Sequence, residues 1–146
     1  MYENILLPYD GSKESKKGAE HGIGLAAALG ATVHALYVVD LPGAPRALSI
    51  RDDEEKMREE YREYGEEVTA ELCAMAADEG VECETAITSG SPSEEIVDDA
   101  EAEGMDAIVL GSAYQGRIGA LLGSTADRVV RTSGVPVITT RIGTNE

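Results

Sequence analysis

Positive charge is scarce in this chain. Lys plus Arg number 12 against 28 Asp plus Glu, a formal net charge of −16, and lysine occurs only as Lys13, Lys16, Lys17 and Lys56. A duplex or an anionic membrane surface would be repelled, so no nucleic acid and no membrane is expected as a partner. The acidic residues run along nearly every predicted helix and are not gathered in a tail. That pattern fits adaptation to high salt, where the Debye length falls to about 3 Å at 1 M; an ordinary acidic cytosolic protein is the alternative. Cysteine is nearly absent too. Cys73 and Cys83 have no CxxC or Cys/His cluster around them, which indicates neither a disulfide framework nor a zinc site and leaves two buried free thiols as the expectation. The N-terminal MYENILLPYDG carries acid where a signal peptide carries base, and no cleavage-site pattern follows, so a cytoplasmic location is expected. His21 to Val39 lacks Asp, Glu, Lys and Arg, yet Gly22, Gly24, Gly30 and Thr32 interrupt it and its pattern changes from helix-like to strand-like at Gly30; it does not read as a membrane span.

What is present is one domain, 1–146, with 42% hydrophobic residues to build a single core. NILLPYD is a short apolar run ending in turn residues, as in a buried strand. Ser12 is an N-cap for a helix to about Leu29, which Gly30 ends as a C′ residue. TVHALYVVD reads as the second strand and LPGAP as a loop. From Asp52 to about Glu79, the residues Met57, Tyr61, Tyr64, Val68, Leu72 and Met75 recur every three or four positions, predicting one long helix with that stripe in the core. VECETAI alternates like an edge strand. SPSEE combines a Ser91 cap, Pro92 at the first helical position and Glu94 at the third, a capping box for a helix to about Glu103. DAIVLGS is a fully apolar fourth strand, a short helix starts at Ser124-Thr125, and VPVITTR is a fifth strand whose Pro136 belongs at an edge.

Strands alternating with helices predict an α/β fold: a doubly wound five-stranded parallel sheet with helices on both faces. Ligands of such sheets bind beyond the carboxyl ends of the strands, at the switch point where neighbouring connections leave to opposite faces. The strands ending at Asp10-Gly11 and Gly111-Ser112 are the pair expected to flank it, which puts GSAYQGRIGALLGST, residues 111–125, beside the ligand.

NILLPYDGSKES, HALYVVD and DAIVLGS…GALLGSTADRVVRTSGVPVITTR together resemble the universal stress protein superfamily over essentially the whole chain. The resemblance implies a Rossmann-like sheet in order 3-2-1-4-5, a homodimer through the C-terminal edge strand and, in ATP-binding members, Gly-x-x-Gly, nine residues, then Gly-Ser or Gly-Thr. Carried over by position, Asp10 meets the adenine-ribose end, the Val38 backbone lines the adenine pocket, Gly111 starts the phosphate loop, and Gly123, Ser124 and Thr125 close it. Pro8, Leu110 and Ser112 complete the candidate nucleotide site, with ATP, with or without Mg2+, as the cofactor.

The middle of the motif departs from the pattern. The second glycine position holds Tyr114 counted from Gly111 and Ala113 counted back from Gly123, so the loop is one residue short. Gly116 is the candidate to take over the close backbone approach, since a Cβ blocks both positive φ and access to an anion. Arg117 and Arg128 add the local positive charge. Asp10 is equally accounted for as a cap of the first helix or its turn. His21 and His34 have no carboxylate or cysteine companion and read as packing or surface residues. No nucleophile-base-orienter set can be assembled, so bound ATP is expected to be hydrolysed slowly or not at all. Three readings remain, in this order: a small nucleotide-binding stress or regulatory protein; given the shortened loop, a dimeric interaction module of the same family that binds no nucleotide; and, third, an enzyme. A phosphoacceptor receiver domain is excluded, because the third strand ends in Thr88-Ser89-Gly90 without an aspartate, and GxxxxGK[ST] is absent.

Overall fold

The computed structural model describes residues 1–40, 51–112 and 123–141. Five strands alternate with four helices: β1 Asn4–Pro8, α1 Lys13–Leu29, β2 Thr32–Val39, α2 Arg51–Asp78, β3 Cys83–Ser89, α3 Pro92–Ala102, β4 Ala107–Ser112, α4 Ser124–Thr132 and β5 Val137–Arg141. The strands form one parallel sheet in order β3-β2-β1-β4-β5. The predicted order and all nine elements are therefore present, while LPGAP falls outside the described residues.

Strand alternation divides the core into two layers. Ile5 and Leu7 of β1 and Val33, Ala35, Tyr37 and Val39 of β2 pack under α1 and α2, against Ile23, Ala26, Val68 and Leu72. Leu6, Leu36, Ile108 and Leu110 face the other way, onto Ile96, Val97, Ala126 and Val129 of α3 and α4. β1 thus sends its connection to one face and β4 to the other, which makes the gap between their carboxyl ends the switch point.

Local chemistry accounts for the helix ends. Ser12 has extended dihedrals and its hydroxyl accepts from the Ser15 N–H at 3.2 Å, and Gly30 ends α1 in the left-handed region at φ 70°. The capping box expected at α3 is not formed. Ser91 is the N-cap and Pro92 stands at the helix start, but the Ser91 side chain makes no capping hydrogen bond. Glu95, one residue past the expected Glu94, accepts from the Thr88 hydroxyl at 2.8 Å and so ties the helix start to β3. Pro136 sits immediately before β5, where its carbonyl accepts from the Ile108 N–H at 2.9 Å.

Two further expectations are corrected. In the α2 stripe, Val68 and Leu72 are buried, but Met57, Tyr61 and Tyr64 are 45%, 38% and 42% exposed. The 28 residues of α2 span about 42 Å against about 25 Å for the eight residues of β2, so the first turns pass beyond the sheet that would cover them. Cys73 and Cys83 are not free thiols. They form a disulfide between α2 and β3 across a Cα–Cα distance of 5.3 Å. The reversal at Gly80, with Val81 N–H donating to the Ala76 carbonyl at 2.9 Å, lays the start of β3 back along the last turns of α2 and brings the two side chains together.

Candidate functional site

A cavity of about 330 Å³ opens at the switch point. Its apolar wall comes from the α3 and α4 side: Leu36 and Val38 of β2, Leu110 of β4, Ile96 of α3 and Ala126 of α4. Backbone parity aims the polar edge of β2 toward it. Even-numbered residues of β2 bond β1, as in Thr32 N–H to the Glu3 carbonyl and Tyr9 N–H to the Leu36 carbonyl, whereas Val33 and Val39 bond the β3 side. The Val38 N–H and C=O therefore face the β1 side of the strand, one step beyond the level at which Tyr9 leaves the sheet.

The turn from β1 into α1 forms the opposite rim. The Asp10 carboxylate accepts from the Ser12 N–H at 2.9 Å, the Ser15 hydroxyl donates to the Ser12 carbonyl at 3.0 Å, and Gly11 takes φ 82°. Burial pushes the Asp10 carboxyl up, but hydrogen bonds from Ser12 and Ser15 outweigh it and hold the group below the usual carboxylate range. Helix α2 clamps this turn from behind. The Tyr64 hydroxyl donates to the Asp10 carbonyl at 2.8 Å, and the Tyr9 hydroxyl donates to Glu71 at 3.0 Å. Burial and that carboxylate push the Tyr9 phenol above its ordinary range. A Cβ at Gly11 would come 2.7 Å from the Tyr64 hydroxyl, so the turn requires glycine for both space and φ.

The end of β4 meets the start of α1 more closely still. A Cβ on Gly111 would overlap the Glu14 carbonyl, and Gly18 faces the Gly111 backbone in turn. Gly111 is thus demanded by helix-on-strand packing, independently of any ligand. Ser112 is buried, and its hydroxyl accepts from the Gly123 N–H at 2.8 Å, tying the end of β4 to the start of α4. Helix α4 then starts at Ser124 with Gly123, which brings no capping side chain, as N-cap, and Ser124 and Thr125, whose first-turn N–H groups have no partner within the helix, line the cavity.

Pro8, Asp10, Val38, Leu110, Gly111, Ser112, Gly123, Ser124 and Thr125 all line this one cavity. Gly116, Tyr114 and Arg117 lie outside the described residues. Arg128 is exposed on α4 and is not among the residues lining the cavity. Sequence reasoning missed Ser15, Pro92 and Ile96, which reach the cavity because α1 and α3 start at its rim. The SPSEE signal located that helix start without indicating what it would face. His34 bonds the Asn4 side chain at 2.9 Å, away from the cavity.

The universal stress protein family model matches residues 1–141. The chain belongs to the universal stress protein family. A universal stress protein of Methanocaldococcus jannaschii is 36% identical over 141 residues, covering 94% of this chain and 81% of its own. The solved structure of the universal stress protein UspA of Lactobacillus plantarum superposes with TM-score 0.83 at 26% identity, covering 96% of this chain and 98% of that one. At 19% identity an Arabidopsis thaliana family protein with AMP bound shares the fold, with TM-score 0.73 over 98% of this chain and 94% of its own. Among the described residues no helix is long and apolar enough to cross a membrane, and no group of His, Cys, Asp and Glu suits a metal ion.

Proposed function

We propose that this member of the family binds an adenine nucleotide, ATP with or without Mg2+, at the switch point and acts as a regulatory stress protein rather than a catalyst. The observation that carries the reading is the junction, within one cavity, of an apolar slot edged by the Val38 backbone with the first turn of α4. A purine base fits the first: Leu36, Leu110 and Ile96 cover its faces while the Val38 N–H and C=O meet its polar edge. Phosphate oxygens fit the second, through backbone N–H groups and the positive end of the helix dipole. Asp10 stands between them, where a ribose hydroxyl would donate to its ionised carboxylate. That AMP sits on the same fold in the Arabidopsis protein supports the assignment.

The rim carries Asp10 and Glu14, and no Lys or Arg appears among the described lining residues. Nucleotide bound as its magnesium complex therefore meets less repulsion than the free anion. We further assign the chain to a single cytoplasmic domain, residues 1–146, that dimerises through β5 and is adapted to high salt.

The test is calorimetry with ATP at high salt, with and without Mg2+, together with analysis of any small molecule released when the purified protein is denatured. Binding that strengthens with Mg2+ is the expected result. Absence of heat and of any released nucleotide would replace this reading with the ligand-free interaction module, in which the Gly123 N–H stays with Ser112.

A further inference from the structure

The disulfide stands where it can act on the β1–α1 turn. Cys73 lies on the same helix as the two clamps described above, two residues past Glu71 and less than three helical turns past Tyr64. Its partner Cys83 opens β3, the outermost strand on that side of the sheet, and both cysteines are only half-buried. The bond therefore joins two partly exposed residues, one of them on the helix that holds Tyr9 and Asp10. Glu82 and Glu84 flank Cys83, and like charge near the sulfur slows attack by anionic thiolates.

We infer that Cys73 and Cys83 form a reversible redox site whose state sets how firmly α2 holds the Tyr9–Asp10–Gly11 turn, and through it the affinity of the cavity. Oxidation consumes one peroxide molecule. One thiolate attacks a peroxide oxygen and releases one water, and the second thiol displaces the other as Sγ joins Sγ, so two thiols and one hydrogen peroxide give the disulfide and two waters. A small dithiol reverses it, its own two thiols becoming a disulfide while its hydrogens pass to the two cysteine sulfurs. With the bond made, the last turns of α2 cannot slide along β3, and Tyr64 and Glu71 stay in register with the turn. With it broken, the clamp is positioned without a covalent tie, by the buried face of α2 at Val68, Thr69, Leu72 and Ala76 and by the Val81 N–H bond to the Ala76 carbonyl. The link from the turn to nucleotide affinity rests on the function proposed above; the link from the disulfide to the turn does not.

The experiment compares the intact protein after peroxide treatment and after dithiothreitol, by hydrogen exchange followed by mass spectrometry and by ATP titration at high salt. Reduction is expected to speed exchange in the Tyr9–Ser15 segment about fivefold and to weaken ATP binding by a similar factor, the size of a modest coupling. Cys83→Ser should behave as the reduced protein with or without dithiothreitol. If the turn responds while ATP fails to bind at all, the redox site stands and the nucleotide reading falls. If exchange changes only between residues 73 and 83, or if peroxide leaves both thiols free to alkylation, the inference is overturned.

Discussion

Gly111 and Gly123 both line the cavity, yet they are glycine for different reasons. At Gly111 the obstacle is backbone, the Glu14 carbonyl, which cannot rotate away. Gly111→Ala is expected to lose about 2 kcal/mol in urea unfolding, the scale of overpacking against a fixed neighbour. Gly123 has φ −61° and ψ 157°, a conformation open to any residue. Gly123→Val should therefore keep stability within about 1 kcal/mol, the loss of a favourable cap, while abolishing nucleotide binding by filling the cavity at the helix start. A Gly123→Val protein that binds ATP normally would separate α4 from phosphate recognition. Asp106 gives a pH signature. Its carboxylate accepts from the Glu3 and Asn4 N–H groups at 2.8 and 2.9 Å, which holds its pKa below the usual value. Its contribution is complete above the unfolded-state pKa of about 3.9 and disappears as pH falls through the lower folded value. Asp106→Asn should thus narrow the stability gap to the parent in acid titrations below that pH, and an unchanged gap would contradict the assignment.

At the level of elements, α2 carries the most unexpected features. Its exposed Tyr64 bonds the Asp10 carbonyl and meets the Tyr37 ring edge-on, with centroids 5.6 Å apart. Tyr64, in a stripe predicted as core, thus serves as a brace for the β1–α1 turn. Cross-linking α2 to β3 closes a short loop, with a sequence separation of 10. The chain-entropy account assigns such a closure roughly 3 kcal/mol. Dithiothreitol should accordingly lower the urea midpoint of the parent and leave Cys73→Ser unaffected. An equal response of both would locate the effect elsewhere.

For the whole molecule, the charge of −16 dominates. Unscreened like charges oppose the compact state, so melting temperature should fall steadily as salt is removed. A flat or rising curve would refute adaptation to high salt. β5 lies at the sheet edge with Val137, Ile138, Thr139 and Thr140 all half-buried. A second copy laid along β5 would cover those half-buried residues and pair the free edge of the strand. Light scattering at high salt should return twice the chain mass, and a monomer mass at every salt concentration would remove the dimer.

Element order and both ends of α1 could be read from the chain because they depend on neighbours within a few residues. Period-two and period-3.6 apolar patterns, the Ser12 hydroxyl three residues before the Ser15 N–H, and glycine at the left-handed position 30 each specify local backbone regardless of the rest. The family's sheet order then placed the ends of β1 and β4 side by side. Distance along the chain decided what could not be read. Whether Cys73 reaches Cys83 depends on how β3 lies against α2, and whether Tyr61 and Tyr64 are covered depends on how far α2 outruns the sheet. That Gly111 answers to Glu14 rather than to a phosphate depends on α1 crossing the end of β4. A residue's chemistry is written in the sequence, but its partner across the fold exists only once the elements have packed.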